Sequence, residues 1–218
     1  MNVQLLSQGI LPYAQPYTNP PWSHNGMENT SIFPPNAVDW VLVELRDAQS
    51  AAQATAATKL SGWPKAMLLL ANGQIVSPDG NLPYVRVPAS PQGLYAVIRH
   101  RNHLDVMSAD SLEWDNGSYA YDFTTSLETA WGGTAGYKEI APGKYGMVAA
   151  DCDADGTVLT SDFNQGAWDF GCIEVYLSSD VDLDGQVMTS DFNFWSVNFG
   201  ADHPLESGND HLYRSQVP

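Results

Sequence analysis

The spacing of apolar and polar residues divides the chain into three regimes. The first 36 residues hold a short apolar run, VQLLSQGI, followed by six of the chain's 14 prolines. Proline fixes the backbone and removes amide donors, so residues 1–36 read as a strand followed by an extended arm. The second regime, residues 37–149, is a series of short apolar runs separated by turn signals. VDWVLVEL is rich in β-branched and aromatic residues and apolar on both faces from Trp40 onward, as in a central strand. Asn72-Gly73 lies between two apolar runs and predicts a hairpin, and Asn116-Gly117 predicts another turn. GLYAVIRHRNHLDVMS reads as one long strand, while DAQSAAQATAATKL suits either a helix or a loop. Strands this frequent predict a mainly β fold, an antiparallel β-sandwich of about 110 residues.

In the third regime, residues 150–201, the periodicity lengthens from that of strands to that of helices. Phe163, Ala167 and Phe170 recur at helical spacing, as do Phe192, Trp195 and Phe199. Gly171 and Gly200 follow as helix stops. Residues 151–171 align with 180–200 through Asp, Asp, Asp-Gly, Val, Thr-Ser-Asp-Phe-Asn and Phe-Gly, so this region is an internal duplication. Residues 202–218 form a polar tail.

Each repeat opens on four carboxylates within twelve residues, DCDADGTVLTSD and DVDLDGQVMTSD. Numbered from Asp151, positions 1, 3, 5 and 12 are Asp151, Asp153, Asp155 and Asp162; from Asp180 they are Asp180, Asp182, Asp184 and Asp191. Glycine stands at position 6, and Thr157 and Gln186 at position 7 can offer a backbone carbonyl. Alternating oxygen ligands around a glycine turn are the pattern of a calcium loop, and an all-oxygen donor set favours calcium over zinc or copper. Carboxylates so close repel one another unless a cation lies between them. Two calcium ions are therefore expected. Position 9, Leu159 or Met188, has no side-chain oxygen, which leaves a place for water. Position 12 is Asp rather than Glu, and the segment before each loop reads as extended, both unlike an ordinary EF-hand.

The formal charge of −16 argues against nucleic acid and anionic membranes as partners. No apolar run reaches the roughly 18–20 residues of a membrane span. The opening residues carry no basic leader and do not read as a secretory signal, so a secreted chain would be a mature or trimmed one.

The loops and the strand pattern together carry a resemblance. Residues 151–200 are similar to a dockerin-type calcium repeat of secreted bacterial proteins. The longer pattern VDWVLVELRDA, RHRNHL and GMVAADCDADG resembles a β-sandwich module that runs into such loops in large surface proteins of gliding-type bacteria. The resemblance implies calcium ligation by the eight loop aspartates, an extracellular or cell-surface location, and a disulfide between Cys152 and Cys172. It also implies partner contacts at Thr160, Ser161, Thr189 and Ser190, where the residue-level reading favours capping of the helices that follow.

Other signals weigh less. His100 and His103, three apart on a strand, would point to opposite faces and serve as buried or inter-strand groups. Asn29 and Asn116 begin glycosylation sequons, and Asp110-Ser-Leu resembles a bacterial O-glycosylation acceptor. Nothing pairs Glu113, Glu128 or Glu139 into a glycosidase site, and no nucleophile, phosphate or zinc motif is present, so the chain reads as non-enzymatic. The expected function is a secreted, calcium-stabilised structural subunit of a surface assembly, with the N-terminal strand completing its own sheet or crossing to another copy. The alternative is a recognition module, docking through its calcium repeat to a cohesin-type partner or binding sugar on Trp22, Trp63, Trp114 or Trp131.

Overall fold

The computed structural model describes residues 1–81, 91–115 and 117–202. Its centre is one five-stranded antiparallel sheet in the order β3-β2-β1-β4-β5. The strands are β1 (Ala37–Asp47), β2 (Lys65–Leu70), β3 (Ile75–Val76), β4 (Leu94–His100) and β5 (His103–Met107). The run apolar on both faces becomes β1, the middle strand, with every residue buried from Ala37 to Arg46. Asn72-Gly73 turns β2 into β3, and Gly73 has a φ of 91°. Two small hairpins complete the strands: β6 (Glu113–Asp115) with β7 (Ser118–Ala120), and β8 (Tyr137–Ala141) with β9 (Lys144–Met147).

Both faces of the sheet are covered. On one face Val38, Trp40, Leu42, Leu68 and Leu70 meet Leu5, Leu11 and Tyr17 from the N-terminal segment, together with Leu183. On the other, Val41, Val43, Met67, Ile98 and Val106 meet Trp63, Ala130, Tyr137, Tyr145 and Met147. Burial of this kind is worth roughly 1.5–3 kcal/mol for each large apolar side chain. Among the described residues the layers facing the sheet are helix, loop and hairpin, and no second large sheet is present.

Two expectations change here, and one left open is decided. VQLLSQGI is not a strand: Gln4–Ser7 forms a short helix, α1, with Leu5 fully buried beneath the sheet. The arm folds back on β1, where the Tyr17 hydroxyl donates to the Trp40 carbonyl at 2.7 Å and Trp40 Nε1 donates to the Pro12 carbonyl at 2.8 Å. The apolar run VQLLSQGI is too brief to distinguish a helical turn packed on a face from a strand at an edge. Secondly, DAQSAAQATAATKL forms two 3-10 turns, Ala51–Gln53 and Ala56–Thr58, with Ala54 fully buried.

The remaining correction matters most for function. GLYAVIRHRNHLDVMS is a hairpin, β4 and β5, turning at Arg101 and Asn102. His100 and His103 are therefore cross-strand partners whose rings meet edge-on at 4.8 Å, not side chains on opposite faces. A buried turn of polar residues lacks the Gly or Asn-Gly signal by which hairpins are read. Arg101 and Asn102 are almost completely buried because the duplicated region packs against them. The polar tail beyond Asp202 and the sequon residue Asn116 lie outside the described residues.

Candidate metal centre

The duplicated region enters from the sheet. Residues 148–150 run beside the hairpin tip, with Leu104 N donating to Val148 O at 2.8 Å and Ala150 N to Asn102 O at 2.9 Å. Loop 1 (151–162) leads into α2 (Thr160–Asp169), and loop 2 (180–191) leads into α3 (Thr189–Asn198). No helix leads directly into either loop: β9 runs up to loop 1, whereas residues 174–179 before loop 2 are irregular, with a positive φ at Glu174 and a turn at 178–179, so the extended segment expected there is not formed. Gly171 and Gly200, at φ of 90° and 84°, end the helices.

Within each loop the same hydrogen bonds recur. Asp155 N and Gly156 N donate to Asp151 at 3.1 and 3.2 Å, and Asp184 N and Gly185 N donate to Asp180 at 3.0 and 3.0 Å. Gly156 and Gly185 take φ of 90° and 83° at position 6, a conformation that side-chain-bearing residues rarely adopt. The repeats then pair reciprocally. Val158 N donates to Ala201 O and Val187 N donates to Cys172 O, both at 2.9 Å, while Gly200 N and Gly171 N return to Val158 O and Val187 O. The segment after each helix therefore pairs with the other repeat's loop. Val158 and Val187 are both fully buried at this junction.

Ligand-type oxygens converge at positions 1, 3 and 5. One carboxylate oxygen from each of Asp151, Asp153 and Asp155 lies within 4.8 Å of the others, and the same holds for Asp180, Asp182 and Asp184. Asp151 is nearly buried and its neighbours are acidic; burial first, then Asp162, Asp105, Asp153 and Asp155, push its carboxyl up to about 9. Burial raises Asp180 to about 7, with Arg101 pulling the other way. Asp153 and Asp182 are also raised, mainly by burial. One oxygen of Asp182 is buried without a hydrogen-bond partner. A half-buried carboxylate with an orphaned oxygen, in a set of oxygen donors only, fits a hard divalent cation.

Position 12 has a second role. Asp162 accepts Cys152 N at 2.6 Å, Asp153 N at 3.3 Å and Leu159 N at 2.8 Å; Asp191 accepts Val181 N, Asp182 N and Met188 N at 2.7, 3.2 and 2.8 Å. Each of these aspartates ties the start of its loop to the start of its helix. This corrects the capping expectation. Thr160, Ser161, Thr189 and Ser190 lie inside the first helical turn and do not cap. Ser161 and Ser190 instead hydrogen-bond the position-3 aspartates, Asp153 and Asp182. Thr157 and Gln186 are held at position 7 by bridges to Asp202 and Ile173.

Cys152 and Cys172 are free, so the disulfide implied by the resemblance is not formed. Reciprocal pairing provides the reason. Cys172 is anchored on Val187 of loop 2, whereas Cys152 N is held by Asp162 within loop 1. Burial and the neighbouring carboxylates push the Cys152 thiol up, which keeps it protonated.

A buried charge network at the hairpin tip braces loop 2; pairing of the RHRN arginines with carboxylates is readable from the sequence, but the partners are not. Arg101 Nε donates to Asp39 Oδ2 at 2.9 Å, its guanidinium stacks 4.2 Å over the Tyr176 ring, and its Nη1 donates to the Leu177 carbonyl. The Tyr176 hydroxyl donates to Asp39, and His100 Nε2 lies 3.2 Å from the same carboxylate. Asn102 Nδ2 donates to the Asp180 carbonyl at 2.7 Å. RHRN was the visible signal, but which carboxylates it meets depends on contacts far away in the chain.

Of the four tryptophans considered for sugar binding, Trp63 is buried, and Trp22 and Trp131 pack against core clusters. Trp114 is exposed. No described helix is long and apolar enough to cross a membrane. Compared with known proteins, the chain matches no family model, no curated protein and no solved structure.

Proposed function

We propose that this protein is a non-enzymatic, calcium-stabilised structural module that works outside the cell, with residues 150–201 acting as a dockerin-like pair of calcium loop-helix units. The sheet and its covering layers would form the sandwich-like body of a surface subunit. The observation that carries this reading is the recurrence, in identical register, of two oxygen triads, one with a buried unpartnered carboxylate oxygen. Calcium would be held by Asp151, Asp153 and Asp155 with the Thr157 carbonyl, and by Asp180, Asp182 and Asp184 with the Gln186 carbonyl. The ion supplies the positive charge that the buried acids of loop 1 lack. Extracellular calcium is plentiful enough to fill even weak sites of this kind. Head-to-tail strand exchange is not part of the proposal, because residues 4–7 form a docked helix.

Calorimetric titration of chelator-treated protein with calcium chloride, checked by native mass spectrometry, should show two bound ions. Empty loops at millimolar calcium would sink the reading.

A recognition role is the second reading, supported by the exposed apolar side chains of the two helices and their ends. Trp168 is 89% exposed, Val197 72%, Phe170 54% and Phe199 52%. Trp168 and Val197 occupy equivalent positions of the two repeats, as do Phe170 and Phe199. Pull-down from the protein's own envelope fraction, with and without chelator, tests it: capture that needs calcium and is lost in Trp168→Ala supports docking, and equal recovery by the parent and Trp168→Ala rejects it.

A further inference from the structure

The two loops share a sequence pattern but not their surroundings. Loop 1 carries Ala154 at its fourth position, half-buried, with Asp155 exposed beside it. Loop 2 carries Leu183 there, 8% exposed and packed in the cluster that holds Leu5, Leu11 and Tyr17. Both residues take a positive φ, 55° for Ala154 and 62° for Leu183, so the bend is common and only the insertion into the core differs.

N-terminal side chains surround that insertion. Asn2 Nδ2 donates to the Asp182 carbonyl at 3.3 Å, and Gln8 Nε2 donates to the Asp184 carbonyl at 3.2 Å. Gly185 leaves no space on this side: a Cβ placed there would lie 2.7 Å from Gln8 Oε1 and 2.7 Å from Ile10 Cδ1. On its other side loop 2 is gripped by Asn102, through the Asp180 carbonyl, and by Arg101. Arg101 is 4% exposed, and its Nη2 lies 4.0 Å from Asp180 Oδ2 with no hydrogen-bond partner. Asp182 and Asp184, whose carboxylates belong to the triad, thus present their carbonyls to the N-terminal segment, and Leu183 between them presents its side chain.

We propose that calcium binding at loop 2 and docking of residues 1–11 form one linked equilibrium, whereas loop 1 fills independently of the N-terminus. This rests on the calcium reading above. A cation drawing in the side chains of Asp180, Asp182 and Asp184 fixes the backbone curl that turns two carbonyls toward Asn2 and Gln8. Without the cation, like charges push the same residues apart and distort the seat of Leu183. Linkage is reciprocal, so whatever factor calcium adds to docking of the N-terminal segment, that segment adds to calcium affinity.

The test uses the full chain in two backgrounds. Asp151→Asn leaves loop 2 as the intact site, and Asp180→Asn leaves loop 1. In each, the Asn2→Ala/Gln8→Ala pair is introduced and calcium chloride is titrated by calorimetry. Loss of two net hydrogen bonds should weaken calcium about 5–20-fold in the Asp151→Asn background and leave the other within about twofold. Hydrogen exchange needs no N-terminal variant: calcium should slow residues 4–11 in Asp151→Asn and leave them unchanged in Asp180→Asn. Equal weakening in both backgrounds, no weakening in either, or an N-terminus indifferent to calcium overturns the coupling while the calcium sites stand. Absence of calcium binding in the parent chain overturns both.

Discussion

Asp39 and Asp151 are both aspartates almost sealed from solvent, yet the protein treats them in opposite ways. Asp39 is fully buried, which alone would favour the neutral acid, but Arg101, His100 and the Tyr176 hydroxyl hold it well below the usual carboxylate range. Asp151 is as deeply placed and meets other acids, so its carboxyl is pushed up to about 9. Asp180 lies between them: it shares Arg101 with Asp39 and rises only to about 7. All three are buried; burial raises Asp151 and Asp180, and only at Asp39 do the neighbouring charges and hydrogen bonds outweigh it. Asp39 carries its counter-ion in the chain, whereas Asp151 has no cation beside it there, and the calcium proposed above would supply one. The comparison separates a carboxylate neutralised by its own chain from one that the calcium proposal makes a ligand.

The most damaging way to break the comparison is to strip the internal counter-ion. Arg101→Met leaves Asp39 buried and uncompensated, and it removes the links to Leu177 and Tyr176. Loss of one partner of a buried ion pair costs about 3–5 kcal/mol. At about 2–4 °C per kcal/mol for a chain of this size, the melting temperature should fall by roughly 6–20 °C. An Asp39→Asn/Arg101→Met double variant should recover part of that loss, because no buried charge remains alone. If the double variant is as unstable as the single one, packing rather than charge explains the site.

Removing the external counter-ion comes next. At free calcium 100-fold above its dissociation constant, each filled site contributes about 2.7 kcal/mol. Chelation should therefore lower the melting temperature by roughly 5–10 °C per site. Hydrogen exchange should show the loosening concentrated in residues 150–200. A thermal scan unchanged by chelator would mean that the loops fold without a cation.

The extent to which this was legible in the sequence follows from the range of each cause. The central strand was visible in VDWVLVEL because a strand covered on both faces must be apolar on both faces. Both loops and both helices were visible because the duplication repeats every ligand-type position and each helix stop. What stayed hidden depends on partners distant in the chain. Nothing local marks Arg101-Asn102 as a turn, since the partners of its side chains, Asp39, Leu177 and Asp180, are distant in sequence. Nothing local marks Leu183 as a core residue either, because its partners Leu5 and Leu11 lie at the other end of the chain. The expected disulfide failed for the same reason, as the reciprocal pairing that separates the cysteines is a property of both repeats together.

The smallest expected effect is also the most selective, because its sign depends on the solution. In the chelated protein a carboxyl with a raised pKa keeps a proton that the unfolded chain has already released. Folding then takes up protons, and stability falls as the pH rises from about 4, the ordinary aspartate value, toward about 9 for Asp151. Asp151→Asn removes that liability. With chelator at pH 8 the variant should equal or exceed the parent, the relieved charge being offset by weaker acceptance from Asp155 N and Gly156 N, and its stability should vary less between pH 5 and 8. With calcium present the order reverses, since the parent gains a filled site that the variant has lost. Asp39→Asn should behave in the opposite way: its carboxyl is lowered, so its contribution is present above the unfolded value and unaffected by calcium at loop 1. If Asp151→Asn destabilises equally with and without calcium, the Asp151 side chain is serving its own loop backbone through Asp155 N and Gly156 N, and the distinction between the two aspartates disappears.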